Sequence, residues 1–210
     1  MHRTRLLLAS ASPARSRILR AAGIEPVVKP SGVDEGAVVR RLRAESGSLP
    51  PAAEALGLAR AKAEAVAADV TGLVVLGCDS VLELDGTAHG KPAGPAEAVR
   101  RWRLMRGRSG VLHTGHWVID RRSTDSPSRG DTASTTVHFA DVTDSEVEAY
   151  VATGEPLEVA GAFTIDGLGG AFVERIEGDP ANVVGLSLPL LRRLLADLGV
   201  QWTELWSAES

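Results

Sequence analysis

Residues 6–23, LLLASASPARSRILRAAG, commit the chain to a strand, a tight turn and a helix in immediate succession. Leu6, Leu7 and Leu8 form the kind of apolar run carried by a strand covered on both faces. Ser10, Ala11 and Ser12 are small residues suited to a turn. Pro13 fits the first helical position, because its φ is already helical and its missing N–H is not needed there, and Ser12 is then the N-cap. Ile18, Leu19 and Ala22 line one helix face, and Gly23 ends it. A helix N-terminus presents unpaired N–H groups and partial positive charge, so it attracts anions. Ser10, Ser12 and Arg15 stand around this one, and a guanidinium is suited to bidentate contact with phosphate. A capped surface helix with solvated arginines fits the same residues, and this stretch alone leaves both readings open.

The rest of the chain has to supply whatever else an anion needs, because the 210 residues carry a net charge of −4. That balance argues against broad binding to polymeric nucleic acid or an anionic membrane, so any basic site is local. A single cysteine, Cys78, rules out an internal disulfide and a multi-cysteine metal site, and fits a reducing cytosol. No apolar run reaches spanning length, and the charged start (His2, Arg3, Arg5) lacks a signal-peptide pattern, so a cytoplasmic location is expected. The length suits one large domain.

Taken in order, residues 25–30 read as a short strand around Val27 and Val28, and residues 31–36 as a loop. Asp34 and Glu35 in that loop suit a solvated acidic turn, or oxygen ligands for a hard divalent cation. Residues 37–43 are weakly helical. Residues 52–69 form a long alanine-rich helix with Leu56, Ala59, Ala63 and Val66 on one face. Lys62 lies at the edge of that stripe, where a lysine ordinarily snorkels to water. Residues 73–76 read as a buried strand with Gly77, Cys78, Asp79 and Ser80 at its carboxyl end, where ligands of open α/β sheets lie, and Val81 to Leu84 continue as a strand. There Asp79 suits a metal ligand or general base, or a turn cap; Cys78 reads as core filler. Asp85-Gly86 signals a hairpin turn, and Pro92 fixes Lys91 in an extended loop.

Residues 95–105 form a helix with Ala96, Val99 and Leu104 among its apolar positions, and 109–120 a long strand. His113 and His116 then point to opposite faces, which is poor metal geometry. With a return strand over 132–140, residues 110–140 read as a protruding β-hairpin that could serve as an exchanged or packing arm in a homodimer. Residues 144–153 read as a helix capped by Asp144, and 160–179 as glycine turns alternating with short strands, with Asp166 on one turn. An amphipathic helix carries Leu188, Leu191, Leu194 and Leu195, and Trp202 and Trp206 are placed to pack back on the body.

LASASPARSRIL at 8–19 resembles the opening signature of the Maf family, small-Ser-x-Ser-Pro-Arg-Arg followed by a helix. The resemblance continues through Asp34-Glu35, LARAKAEA at 58–65, GCDS at 77–80, GKP at 90–92, GEP at 154–156, the 160–179 segment and VVGLSLPLL at 183–191. It implies a mixed α/β protein with two lobes around a cleft, related in structure to inosine-triphosphate pyrophosphatases. It further implies hydrolysis of nucleoside triphosphates at the α-phosphorus, giving a monophosphate and pyrophosphate, with a divalent cation, Mg²⁺ or Mn²⁺.

By the same resemblance Asp79 is the proton acceptor, Glu35 an acidic site residue, and Lys62 and Lys91 hold the triphosphate. Glu35 and Asp79 are then the metal ligands, Ser10, Ser12 and Arg15 the phosphate-binding turn, and Ala14, Ser80 and Asp166 the positions that choose the base. Ala14 departs from the arginine or tryptophan, and Asp166 from the glutamine, of the better-described branches. An ionised aspartate only accepts hydrogen bonds, whereas glutamine also donates, so Asp166 leads to the expectation of a base edge with adjacent N–H groups, as in guanine. A second reading is a nucleotide-binding regulator of division or septum formation. A P-loop NTPase is disfavoured, since no G-x-x-x-x-G-K-[ST] occurs.

Overall fold

The computed structural model describes residues 4–207; His2 and Arg3 of the charged start, and residues 208–210 of the tail, lie outside them. Along the chain run β1 (Leu6–Leu8), α1 (Pro13–Ala21), β2 (Val27–Val28), α2 (Glu35–Ser46), α3 (Pro51–Ala67), β3 (Val74–Leu84) and β4 (Thr87–His89). There follow α4 (Pro95–Met105), β5 (Ser109–Asp120), β6 (Ser128–Phe139), α5 (Asp144–Ala152), β7 (Val173–Glu177), α6 (Pro180–Val184) and α7 (Leu188–Ala196). Among the described residues one seven-stranded mixed sheet forms in the order β2-β1-β3-β5-β6-β7, with β4 paired to β3. β1 runs parallel to β2 and β3, and the other pairs are antiparallel. This is the mixed α/β class expected.

The helices cover both faces. Leu19 of α1 and Leu190, Leu191 and Leu194 of α7 pack with Leu6, Leu8, Leu76 and Cys78. Ala63 and Val66 of α3 pack with Leu7 and Val75 on the opposite face. A separate cluster surrounds the far half of β3, where Leu82 and Leu84 meet Trp102, Phe139, Tyr150 and Phe163. Trp102 anchors it, with Phe139, Tyr150 and Phe172 edge-on at 5.5–5.8 Å and its indole N–H donated to the Ala162 carbonyl. Asp79 and Ser80 lie between the clusters, on the strand common to both.

Several expectations change. β3 is not interrupted at residues 77–80 but runs unbroken from Val74 to Leu84, because β5 pairs along it from Val74↔Asp120 to Glu83↔Val111. What does end is β1, at Leu8, so residues 78–80 lie beyond the carboxyl end of their parallel neighbour. The 110–140 hairpin forms, with its second strand starting at Ser128, but it does not protrude: β5 sits between β3 and β6, and β6 also pairs β7. The outer edge of β5 is paired to β3 along nearly its whole length, and that of β6 to β7 over Thr136–Phe139.

Asp34 is not simply a loop residue. Its carboxylate accepts from the Ala37 N–H at 2.9 Å, and the helix begins at Glu35. The cap of α5 is Thr143, in a reciprocal box with Glu146, rather than Asp144. α4 buries Ala98, Arg101, Trp102 and Met105, whereas Leu104 is exposed. Residues 160–172 form 3-10 turns, and only β7 is a strand in that region. Trp202 packs on the first cluster, and Trp206 is exposed.

Candidate active site

Alternation along β3 puts Val75, Gly77 and Asp79 on the α3 face. A Cβ at Gly77 would run into the Ala59 carbonyl and the Ala63 amide of α3, and one at Gly115, opposite Asp79, into the Ala55 carbonyl. These two glycines let the helix backbone lie directly on the sheet. Lys62 is thereby brought down onto Asp79: its Nζ donates to Asp79 Oδ1 and pairs with Glu35 Oε1 at 2.7 Å. The lysine does not snorkel outward, because two carboxylates meet its charge inside. Burial pulls the Lys62 pKa down, but Asp79 and Glu35 outweigh it and hold the ammonium above its usual value. Burial pushes Asp79 above the ordinary aspartate value, against the pull of Lys62 and Arg15.

Arg15 is buried on the other face of β3. Its Nε donates to the Gly185 carbonyl (2.8 Å), Nη1 to Ser10 Oγ (3.0 Å) and the Cys78 carbonyl (2.9 Å), and Nη2 to Ser80 Oγ (3.1 Å). A guanidinium has five N–H donors, so four of Arg15's are committed inside the protein. It takes over the edge of β3 that β1 leaves at Ala9, whose N–H bonds the Leu76 carbonyl. Ser10 Oγ also accepts from the Ser12 N–H (3.2 Å), and Ser12 Oγ from the Arg15 N–H (3.5 Å), which closes the turn as the sequence predicts. Ser80 shares its hydroxyl with Thr114 Oγ1 at 2.9 Å.

Ala14 is half-buried in the first turn of α1. Asp166 accepts from Arg17 Nη2 (2.8 Å) and from Thr164 Oγ1 (2.5 Å). Burial would raise its pKa, but those two partners hold it below the ordinary value. Lys91 is not brought onto the Lys62 group: its side chain is mostly exposed and pairs with Glu158 at 3.7 Å. Its loop is nonetheless fixed, since the Gly90 carbonyl accepts from Arg101 Nη1 and the Gly161 N–H.

Burial pushes the Cys78 thiol up to about 12, so it is inert filler. His113 faces Glu83 and Ser134, and His116 faces Thr114 and Ser187, on opposite sides of β5. Among the described residues no three His, Cys, Asp or Glu side chains gather as a metal cluster. Two carboxylates, Glu35 and Asp79, do converge on a single ammonium. A pair of carboxylates completed by substrate phosphates and water is how Mg²⁺ is commonly held, so the donor set fits a divalent cation.

Two residues went unremarked in the sequence. Arg17 is an exposed arginine with no local signal. Glu155 accepts from Tyr150 Oη (2.7 Å) and from the Leu168 and Gly169 N–H groups (3.0 Å each), tying down the glycine-rich turn after Asp166. The bare amides of that Gly-rich run were the available clue that an acceptor had to come from elsewhere.

Fold and site together define a class: an α/β protein in which a strand–turn–helix and a long central strand gather two carboxylates, an ammonium and a guanidinium. The model for Maf-like proteins matches residues 5–198, and the chain belongs to that family. It is 57% identical over 208 residues to a protein of Leifsonia xyli subsp. xyli, covering 97% of each chain. It is 60% identical to one of Salinispora tropica, over 97% of this chain and 88% of that one. A Streptomyces coelicolor protein is 58% identical, over 98% and 96%. All three are named nucleoside triphosphate pyrophosphatase.

Proposed function

We propose that this chain is a nucleoside triphosphate pyrophosphatase, cleaving the bond between the α- and β-phosphates of (d)NTPs to a nucleoside monophosphate and pyrophosphate. The observation that carries it is the buried group in which Lys62 joins Asp79 and Glu35, in a chain whose full-length relatives bear that name. Asp79 accepts a proton from the attacking water; the new P–O bond forms at the α-phosphorus as the bond to the β-phosphate oxygen breaks. A carboxylate with a raised pKa is better matched to that proton transfer than an exposed one. Lys62 neutralises phosphate oxygens.

Glu35 and Asp79 are the residues that would hold Mg²⁺ or Mn²⁺, which supplies further charge neutralisation to the triphosphate. Ser10, whose hydroxyl proton is left to donate, and Ser12 line the phosphate turn at the start of α1, with Arg15 holding its shape. Lys91, mostly exposed on its fixed loop, would exchange Glu158 for the phosphates of a bound triphosphate. Ala14, Ser80 and Asp166 face the base. The buried thiol of Cys78 suits a reducing cytoplasm, and among the described residues no helix is long and apolar enough to cross a membrane.

The test is Asp79→Asn. Pyrophosphate release should fall by about a thousandfold, the scale of a lost general base, while nucleotide affinity stays within about tenfold. Turnover that survives the change would remove Asp79 from the chemistry, whereas nucleotide binding without pyrophosphate release by the unaltered protein would replace this reading with that of a nucleotide-binding regulator of septum formation.

A further inference from the structure

We infer that Arg17 is a specificity-determining positioning residue, which acts by pairing with Asp166 so that the base meets a donor–acceptor pair instead of a bare carboxylate. The inference rests on the reading above that Asp166 faces the base. Arg17 stands three residues after Ala14, one turn along the same face of α1. Its Nη2 donates to Asp166 Oδ2 at 2.8 Å, and this contact links α1 to the turn that carries Asp166. Thr164 holds the other carboxylate oxygen, and Glu155 holds the amides of Leu168 and Gly169, so Arg17 meets a carboxylate whose turn is already fixed.

The two side chains are 61% and 32% exposed. A pair that wet contributes little to folding, and its effect falls on whatever sits beside it. An isolated carboxylate repels carbonyl oxygens and favours adjacent N–H donors, as on the N1–H and N2–H edge of guanine. Uracil and thymine place one N–H between two carbonyls. A guanidinium fixed beside the carboxylate offers N–H groups to a carbonyl and removes much of that repulsion. Arg17 thus offsets the guanine bias that Asp166 alone would impose.

The experiment compares kcat/KM for GTP and UTP in the wild type, Arg17→Ala, Arg17→Lys, Asp166→Ala and the Arg17→Ala/Asp166→Ala double variant, each with a thermal melt. Arg17→Ala should shift the GTP/UTP ratio toward GTP by about tenfold, the size of one charge-assisted hydrogen bond, with little change in Tm. Arg17→Lys should return it to within about threefold of wild type. In the Asp166→Ala background, removing Arg17 should move the ratio less than about twofold. A shift in Asp166→Ala with none in Arg17→Ala, or an equal Arg17 effect in both backgrounds, would overturn the inference alone. No shift in Asp166→Ala would overturn the placing of Asp166 at the base as well.

Discussion

Asp79 and His116 are each displaced by burial, and each gives its own pH signature. Asp79 works as a base only when ionised, and burial raises its pKa above the ordinary 3.8. The acid limb of kcat/KM should therefore lie above that value, read from a pH–rate profile; a limb at or below it would contradict the assignment. His116 Nε2 accepts from the Ser187 N–H (2.9 Å), and Nδ1 faces the Thr114 carbonyl (2.9 Å), so the ring is neutral with its proton on Nδ1. Burial holds its pKa down, at about 4 against 6.5. The unfolded chain binds the extra proton first as pH falls, so His116's contribution is present above 6.5 and lost between 6.5 and about 4. That window is worth roughly 3 kcal/mol. Urea unfolding across it should show this slope, and His116→Gln should flatten it.

Among the elements, the contact of α3 on β3 matters most, and Gly77 sets it. Gly77→Ala puts a methyl against the α3 backbone, which should cost about 2 kcal/mol of stability and, by lifting Lys62 off Asp79, cut turnover by about tenfold or more. Gly94→Ala, where nothing lies within 4 Å of the added carbon, is the control. Denaturation midpoints and kcat on the two proteins decide it. The elements legible in the sequence were those with local markers. Pro13 and Pro95 open α1 and α4 at the positions predicted. Asp85 and Gly86 take φ of 50° and 76°, as a tight hairpin turn needs. That residues 77–80 join the two halves of β3 is not legible locally, because nothing local says that a strand goes on when one neighbour stops; the β5 ladder decides that. The buried face of α4 is not legible locally, because Trp102 selects it through partners 37–70 residues away.

For the whole molecule, the site is where distant segments converge, and their identities are more legible in the sequence than their roles. Lys62, Asp79 and Glu35 gather on one face of β3, whereas Arg15, which reads in the sequence as a phosphate clamp, lies on the other face and is mostly committed to its own chain. Lys91 stays apart, and Lys62, which local pattern alone would send to water, is held inside by Asp79 and Glu35; neither fact is visible without the sheet that separates or joins them. If Glu35 and Asp79 hold the cation as proposed, activity should depend on added metal. Chelation with EDTA should abolish pyrophosphate release, and Mg²⁺ or Mn²⁺ should restore it while the melting temperature moves little.

The Arg15 clamp has a consequence for how the protein comes into being. Its acceptors span positions 10 to 185, so a ribosome must deliver most of the polypeptide before the guanidinium can find its last carbonyl. Until then the phosphate turn lacks its final brace, and a half-made chain has no finished machinery with which to consume the cell's nucleotides.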